Sequence, residues 1–252
     1  MKEIILNQTK TRNRIAFLFT IVIASAFLTG CFDEINCIRG HGAVISEVRE
    51  TGEFSKIMLM TSGNVYVRQS DETELIIEAQ ENILQEIYTY VNDDVLKIKL
   101  DQCVKAIEPI RVYISTPDIT GFKITGSGNI YTQGYIDTDH IEFRITGSGK
   151  IYADSLTTNL IETYISGSGD IFITTEETVN NHYINITGSG NIFAFDAPTD
   201  EVEIDIIGSG NCNVHAISLL DVEIAGSGNI YYIGHPEIIQ EITGSGKIKS
   251  RN

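Results

Sequence analysis

The chain has 252 residues, with 18 Lys and Arg against 34 Asp and Glu, giving a formal net charge of −16. That length can bury a substantial core, and a hydrophobic content of 42% excludes wholesale disorder. The acidic balance argues against nucleic acid as a partner, because phosphates are bound by a basic stripe.

Lys2, Lys10, Arg12 and Arg14 form a basic leader, and an apolar run extends from Ile15 to Phe27. The run is shorter than the about 20 apolar residues that a membrane span needs, and it suits a signal-peptide core. It ends in Leu28-Thr29-Gly30-Cys31, which resembles a bacterial lipobox. Residues 1–30 therefore read as a lipoprotein signal peptide, with Cys31 as the acylated first residue of the mature chain. The alternative is an ordinary signal peptide with a chance cysteine. Several acyl chains anchor stably where one does not.

Cleavage removes four basic residues and one acid, which leaves −19 on residues 31–252. Anionic headgroups repel such a surface, so the lipid is expected to hold the protein at the membrane. Asp33 and Glu34 resemble the acidic export signal that takes some Bacteroidetes lipoproteins to the cell surface. This points toward the cell surface, with residues 31–39 as the tether.

Three further cysteines are Cys37, Cys103 and Cys212. An oxidising envelope permits disulfides, and Cys37 with Cys103 is the favoured pair. Their bond would close a long loop, worth roughly 4 kcal/mol in the chain-entropy model. No C-x-x-C or paired His accompanies them, so the cysteines carry no metal signature, and no cofactor is expected.

Residues 40–118 read as an N-terminal β region that caps the rest of the chain. Thr61-Ser62-Gly63-Asn64-Val65-Tyr66-Val67 is a degenerate copy of a turn and strand that recur after residue 119. Glu81 to Glu86 suggests one short helical turn. Val91 to Lys99 reads as a hairpin around the polar Asn92-Asp93-Asp94.

From residue 119 to 250 a repeat takes over. Gly-Ser-Gly occurs seven times, its first Gly at 126, 147, 167, 188, 208, 226 and 244. A period near twenty is a solenoid signature. Two residues before each first Gly stands Ile: Ile124, Ile145, Ile165, Ile186, Ile206, Ile224 and Ile242. The positions four and six before it and four after it are almost all apolar, whereas those three and five before it are mostly polar. That period of two marks strands with one buried face. The expected fold is an all-β, right-handed parallel β-helix of about 20-residue coils with an N-terminal β cap. Cys212 falls in an Ile column and reads as a small core residue. His182 also takes an inward slot and reads as a structural histidine.

Thr61-Ser62-Gly63-Asn64-Val65-Tyr66, Thr125-Gly126-Ser127-Gly128-Asn129-Ile130 and the later Gly-Ser-Gly copies resemble the head GIN domain family of auto-transporter adhesins. The resemblance covers roughly residues 40–250. It implies a β-helical, outer-membrane lipoprotein of Bacteroidetes type with an adhesive role, and it carries over no catalytic residue.

Three outward features are candidates for chemistry. The acids Glu203, Asp205, Asp221 and Glu223 would lie close together if equivalent residues stack about 4.8 Å apart. They read first as a solvated acidic face, and otherwise as a weak Ca²⁺ site or a carboxylate pair for glycoside chemistry. The Asn at 129, 191, 211 and 229 reads as a stacked amide ladder. The aromatic column Tyr131, Tyr152, Phe172, Phe193 and Tyr231 has two readings. Turned inward at a corner it is core, which is the preferred reading; turned outward it is a stripe for stacking on sugar rings or on a protein.

No nucleophile elbow, zinc-protease motif or phosphate loop is present, so enzyme status is unsupported. The sequence thus points to a lipid-anchored envelope β-helix that binds glycan or protein without catalysis. A structural envelope component and a carbohydrate-active enzyme using the acidic face are the alternatives.

Overall fold

A computed structural model describes residues 37–252 of the chain, so the expected signal peptide, the expected lipidation site Cys31 and the acids at 33 and 34 lie outside the described residues. Parallel strands stack into a β-helix of about six turns. Each coil contributes one strand before its Gly-Ser-Gly turn and one after it, and equivalent strands of successive coils form two parallel stacks. The first stack contains Lys56–Leu59, Gly121–Gly126, His140–Gly147, Leu160–Gly167 and Val179–Gly188, each in parallel register with the next. The second contains Asn64–Gln69, Asn129–Thr132, Lys150–Thr157 and Asp170–Thr175 in the same manner. In later coils single strands, Asn191–Gly208 and Asn211–Gly226, run through both stacks.

The register aligns equivalent residues one above another. Ile124, Ile145, Ile165, Ile186, Ile206 and Ile224 form one buried column. Ile130, Ile151, Ile171, Ile192, Cys212 and Ile230 form a second, each with no exposed surface. Burying each such side chain is worth about 1.5–3 kcal/mol before entropy is subtracted. The last coil departs from the pattern. Ile238 is exposed and Ile242 and Ile248 are only partly buried, because among the described residues no further strand stacks on them.

The invariance of the turn has a steric cause. Gly188 has φ +125°, a left-handed conformation that L side chains avoid, and a Cβ there would strike the carbonyl oxygen of Gly167 in the coil beneath. The second glycine makes room for the Ile column: a Cβ on Gly169 would lie 2.6 Å from Cγ2 of Ile145. Backbone bonds run from turn to turn, as Ser189 N donating to Gly167 O at 2.8 Å and Ser209 N to Gly188 O at 2.8 Å.

The helix begins earlier than the Gly-Ser-Gly repeat. Lys56–Leu59 and Asn64–Gln69 lie directly against the first repeat coil, with Thr61-Ser62-Gly63 as their turn. Antiparallel strands then close the N-terminal end. On the first stack, Ile87–Asn92 pairs with Val95–Leu100 through a turn in which Asp93 and Asp94 both have positive φ, the geometry of a two-residue hairpin. On the second, Glu74–Gln80 pairs antiparallel with both Arg111–Thr116 and Val44–Val48. One helical turn, Glu81–Leu84, buries Ile83 and Leu84 beneath this end. Residues at the end of the expected tether are structured: Ile38–Arg39 pairs with Val104–Lys105, and a disulfide joins Cys37 to Cys103.

Candidate functional site

The residue after each inward Ile of the second stack must point outward, and the aromatic column sits there. Ile130 is buried while Tyr131 is half-buried, and the same alternation holds at Tyr152 and Phe172. Phe193 is 36% exposed. The preferred inward reading of this column therefore gives way to the outward one. The rings are partly covered because they cover one another. Tyr131, Tyr152, Phe172 and Phe193 stack at centroid separations of 4.8, 4.6 and 4.6 Å, with planes within 7° of parallel.

The ladder extends into the cap, where Tyr131 stacks on Tyr66 at 5.3 Å and Tyr66 on Tyr113 at 5.2 Å. Tyr113 was invisible to the repeat, because its strand has no Gly-Ser-Gly before it and joins the stack out of chain order. Six rings thus form one continuous stripe. It stops at Asn213, which stands between Phe193 and Tyr231, so Tyr231 is separated from it. Burial against neighbouring rings raises the Tyr131 phenol above its ordinary value, followed by the nearby Tyr152 and Tyr66. Tyr131 is therefore neutral at physiological pH.

The Asn column beside it is internally satisfied. Asn129 Nδ2 donates to Asn64 Oδ1 at 3.0 Å, Asn211 Nδ2 to Asn191 Oδ1 at 2.9 Å, and Asn229 Nδ2 to Asn211 Oδ1 at 3.1 Å. Asp170 links the two halves, accepting from Asn191 Nδ2 at 2.8 Å and pairing with Lys150 at 2.8 Å. The hydrogen bond to Asp170 raises the Lys150 pKa.

On the first stack the outward acids face one another in register, Glu203 beside Asp221 and Asp205 beside Glu223. Glu203 and Glu223 are exposed. Among the described residues no group of three or more His, Cys, Asp and Glu is gathered closely enough to hold a metal ion. His182 is buried in the core and shares a 2.9 Å hydrogen bond with Thr163 of the preceding coil. Burial pushes its pKa down to about 3, so it is neutral. Burial raises the Cys212 thiol far above its ordinary value, which makes it unreactive.

A family model described as "Putative auto-transporter adhesin, head GIN domain" matches residues 53–236, from the first coil to the end of the last but one. The chain belongs to this family. Solved structures with the same architecture include a "putative adhesin" from Bacteroides fragilis, 28% identical, with a TM-score of 0.80 over 84% of this chain and 99% of that one. A "putative lipid binding protein" from Parabacteroides distasonis is 24% identical, with a TM-score of 0.72 over 86% of this chain and 100% of that one. A "putative adhesin" from the same species is 20% identical, with a TM-score of 0.71 over 85% and 100%. The last two likenesses concern the fold alone. No curated protein matches the sequence. The head GIN domain here is thus a β-helix with two outward faces, one carrying an aromatic ladder and the other a row of charges. Among the described residues no helix is long and apolar enough to cross a membrane.

Proposed function

We propose that this head GIN domain is a non-enzymatic adhesin of the cell envelope, tethered by lipid at Cys31 to the outer membrane and facing outward. Its ligand is a glycan or a protein that lies along the aromatic ladder. The observation that carries this reading is the outward, half-exposed stack from Tyr113 to Phe193. With their faces covered by one another, the rings present a continuous row of edges as one rigid amphipathic surface, and rings held by their neighbours have little left to lose on binding. The adhesin description of the family points the same way.

The test is a glycan array and a pull-down with the full chain and with a Tyr131→Ser, Tyr152→Ser variant. The variant is expected to lose about tenfold in affinity, the equivalent of about 1.4 kcal/mol, with its β-sheet circular dichroism intact. Unchanged binding would remove the ladder from the function, and saccharide turnover that Glu203→Ala or Glu223→Ala abolishes would replace adhesion with catalysis. Cys31→Ser is expected to release the protein from membranes; retention would sink the lipid tether.

A further inference from the structure

The outer face of the first stack carries charge of opposite sign at its two ends. Its central row, in register from strand to strand, reads Lys97, Met58, Lys123, Arg144, Tyr164, Asn185, Asp205, Glu223 and Glu241. Of the fourteen basic residues after residue 30, Lys56, Lys97, Lys99, Lys123 and Arg144 lie on this N-terminal part of one face. In a chain of net charge −16 that grouping sets a local field opposite to the rest of the surface.

The basic end is also concave. Lys56, Gly121 and Glu142 are neighbours in the adjoining row, and Gly121 contributes no side chain to it. The gap leaves a groove of about 450 Å³ bordered by the basic Lys56, Lys97, Lys123 and Arg144, which outnumber the acids Asp93 and Glu142 on the same lining, with Met58 and Val95 as apolar surface. That volume lies within the roughly 300–1,000 Å³ typical of small-ligand sites.

The charges are not all consumed within the protein. Glu142 is paired with Arg144 at 2.7 Å and more loosely with Lys56 at 3.8 Å. Arg144 is fixed further by lying 4.0 Å over the Tyr164 ring. Among the described residues Lys97 has only the neutral Asn92 Oδ1, at 2.8 Å, as a hydrogen-bond partner, and Lys123 has no ion pair. Lys97 and Lys123 flank Met58 in register, so they stand about 10 Å apart across two strand spacings. Tyr90, 44% exposed, lies beside Lys97 at the edge.

We infer that this groove binds an acidic saccharide unit, its carboxylate or sulfate held between Lys97 and Lys123 and its ring resting over Gly121 against Met58 and the Lys56 stem, with Val95 beyond them at the rim. The inference rests on the reading of the chain as an adhesin and places an anion-selective subsite on a different stack from the ladder. Cationic side chains supply the charge-assisted hydrogen bonds. The methylene, thioether and valine surface suits the apolar face of a pyranose. A second copy of the chain, pairing its acidic half with this basic half, is the competing occupant, but a flat strand face leaves the notch at Gly121 unfilled.

The experiment is calorimetric titration of the full chain with three probes: trigalacturonate, a κ-carrageenan tetrasaccharide whose only anion is sulfate, and neutral maltotriose. At least one acidic probe is expected to bind at least about tenfold more tightly than maltotriose, with affinity falling as salt is raised; the two acidic probes separate carboxylate from sulfate. Lys123→Glu and Lys97→Gln are each expected to lower that affinity about tenfold. Equal binding of acidic and neutral probes, or affinity insensitive to both lysine variants, overturns the groove and leaves the ladder standing. Failure of every probe also overturns it. Sedimentation that reveals a dimer dissolved by Lys123→Glu, without saccharide binding, assigns the face to self-association instead.

Discussion

Between Ile87 and Leu100 the chain doubles back around Asp93-Asp94, and Glu74–Gln80 lies antiparallel to two partners. Between Gly126 and Gly244 every strand runs parallel to the one beneath it, and each coil touches its immediate neighbours. The first region is held by contacts far apart in sequence and by the Cys37–Cys103 disulfide. The second is held by columns, in which the same side chain meets its own kind one coil away. Solenoids require such an asymmetry, because a stack of identical coils always leaves a terminal one whose inner face needs a different cover.

Disturbing a column is expected to cost most. Gly188→Ala places a methyl group against the Gly167 carbonyl at a positive φ, between two inter-coil hydrogen bonds that leave it little room to shift. We expect a loss of about 5 kcal/mol or more, read as a large drop in Tm or a failure to fold. A small change in Tm would mean that adjacent turns can slide past one another, and the column picture would fail.

Disturbing the staple comes next. Cys103→Ser is expected to cost about 4 kcal/mol from the 66-residue separation it leaves unclosed, and to act first on the N-terminal region. Hydrogen exchange should show faster opening of Val44–Val48 and Glu74–Gln80 than of the later coils. Uniform acceleration along the chain would show that cap and repeat unfold as one unit.

The smallest effect per step is an acid one inside the repeat. His182 takes up a proton at about 3 in the fold but near its ordinary value of about 6.5 when unfolded. Between those values the unfolded chain binds the extra proton, so stability falls as pH drops, by about 1.4 kcal/mol per unit. Above about pH 6.5 the contribution is fully present. His182→Gln should flatten that part of the Tm profile, and parallel profiles would assign the acid limit to other groups.

The two regions also differ in how plainly their residues announced them. The Ile columns, the amide ladder and the placement of Cys212 and His182 emerge from counting outward from each glycine, because a solenoid repeats its environment as faithfully as its sequence. The aromatic ladder needed the structure: its period was visible, but counting alone left open whether a corner turned the rings inward, and Tyr113 carried no turn to mark it. The basic groove was harder still. Lys56, Lys97 and Lys123 belong to strands of different origin, brought side by side by the cap's hairpin and by the first coil, and nothing periodic connects them.

The in-register stacking has a further consequence for reach. Each coil of about twenty residues adds one strand spacing, about 4.8 Å, and one rung to every column at once. Inserting or deleting a whole coil would lengthen or shorten the ladder by a fixed step without altering the cap, the groove or the disulfide. The fold behaves as a ruler, its graduation set by the hydrogen-bonded distance between strands, and relatives with different numbers of coils would present the same chemistry over a different length.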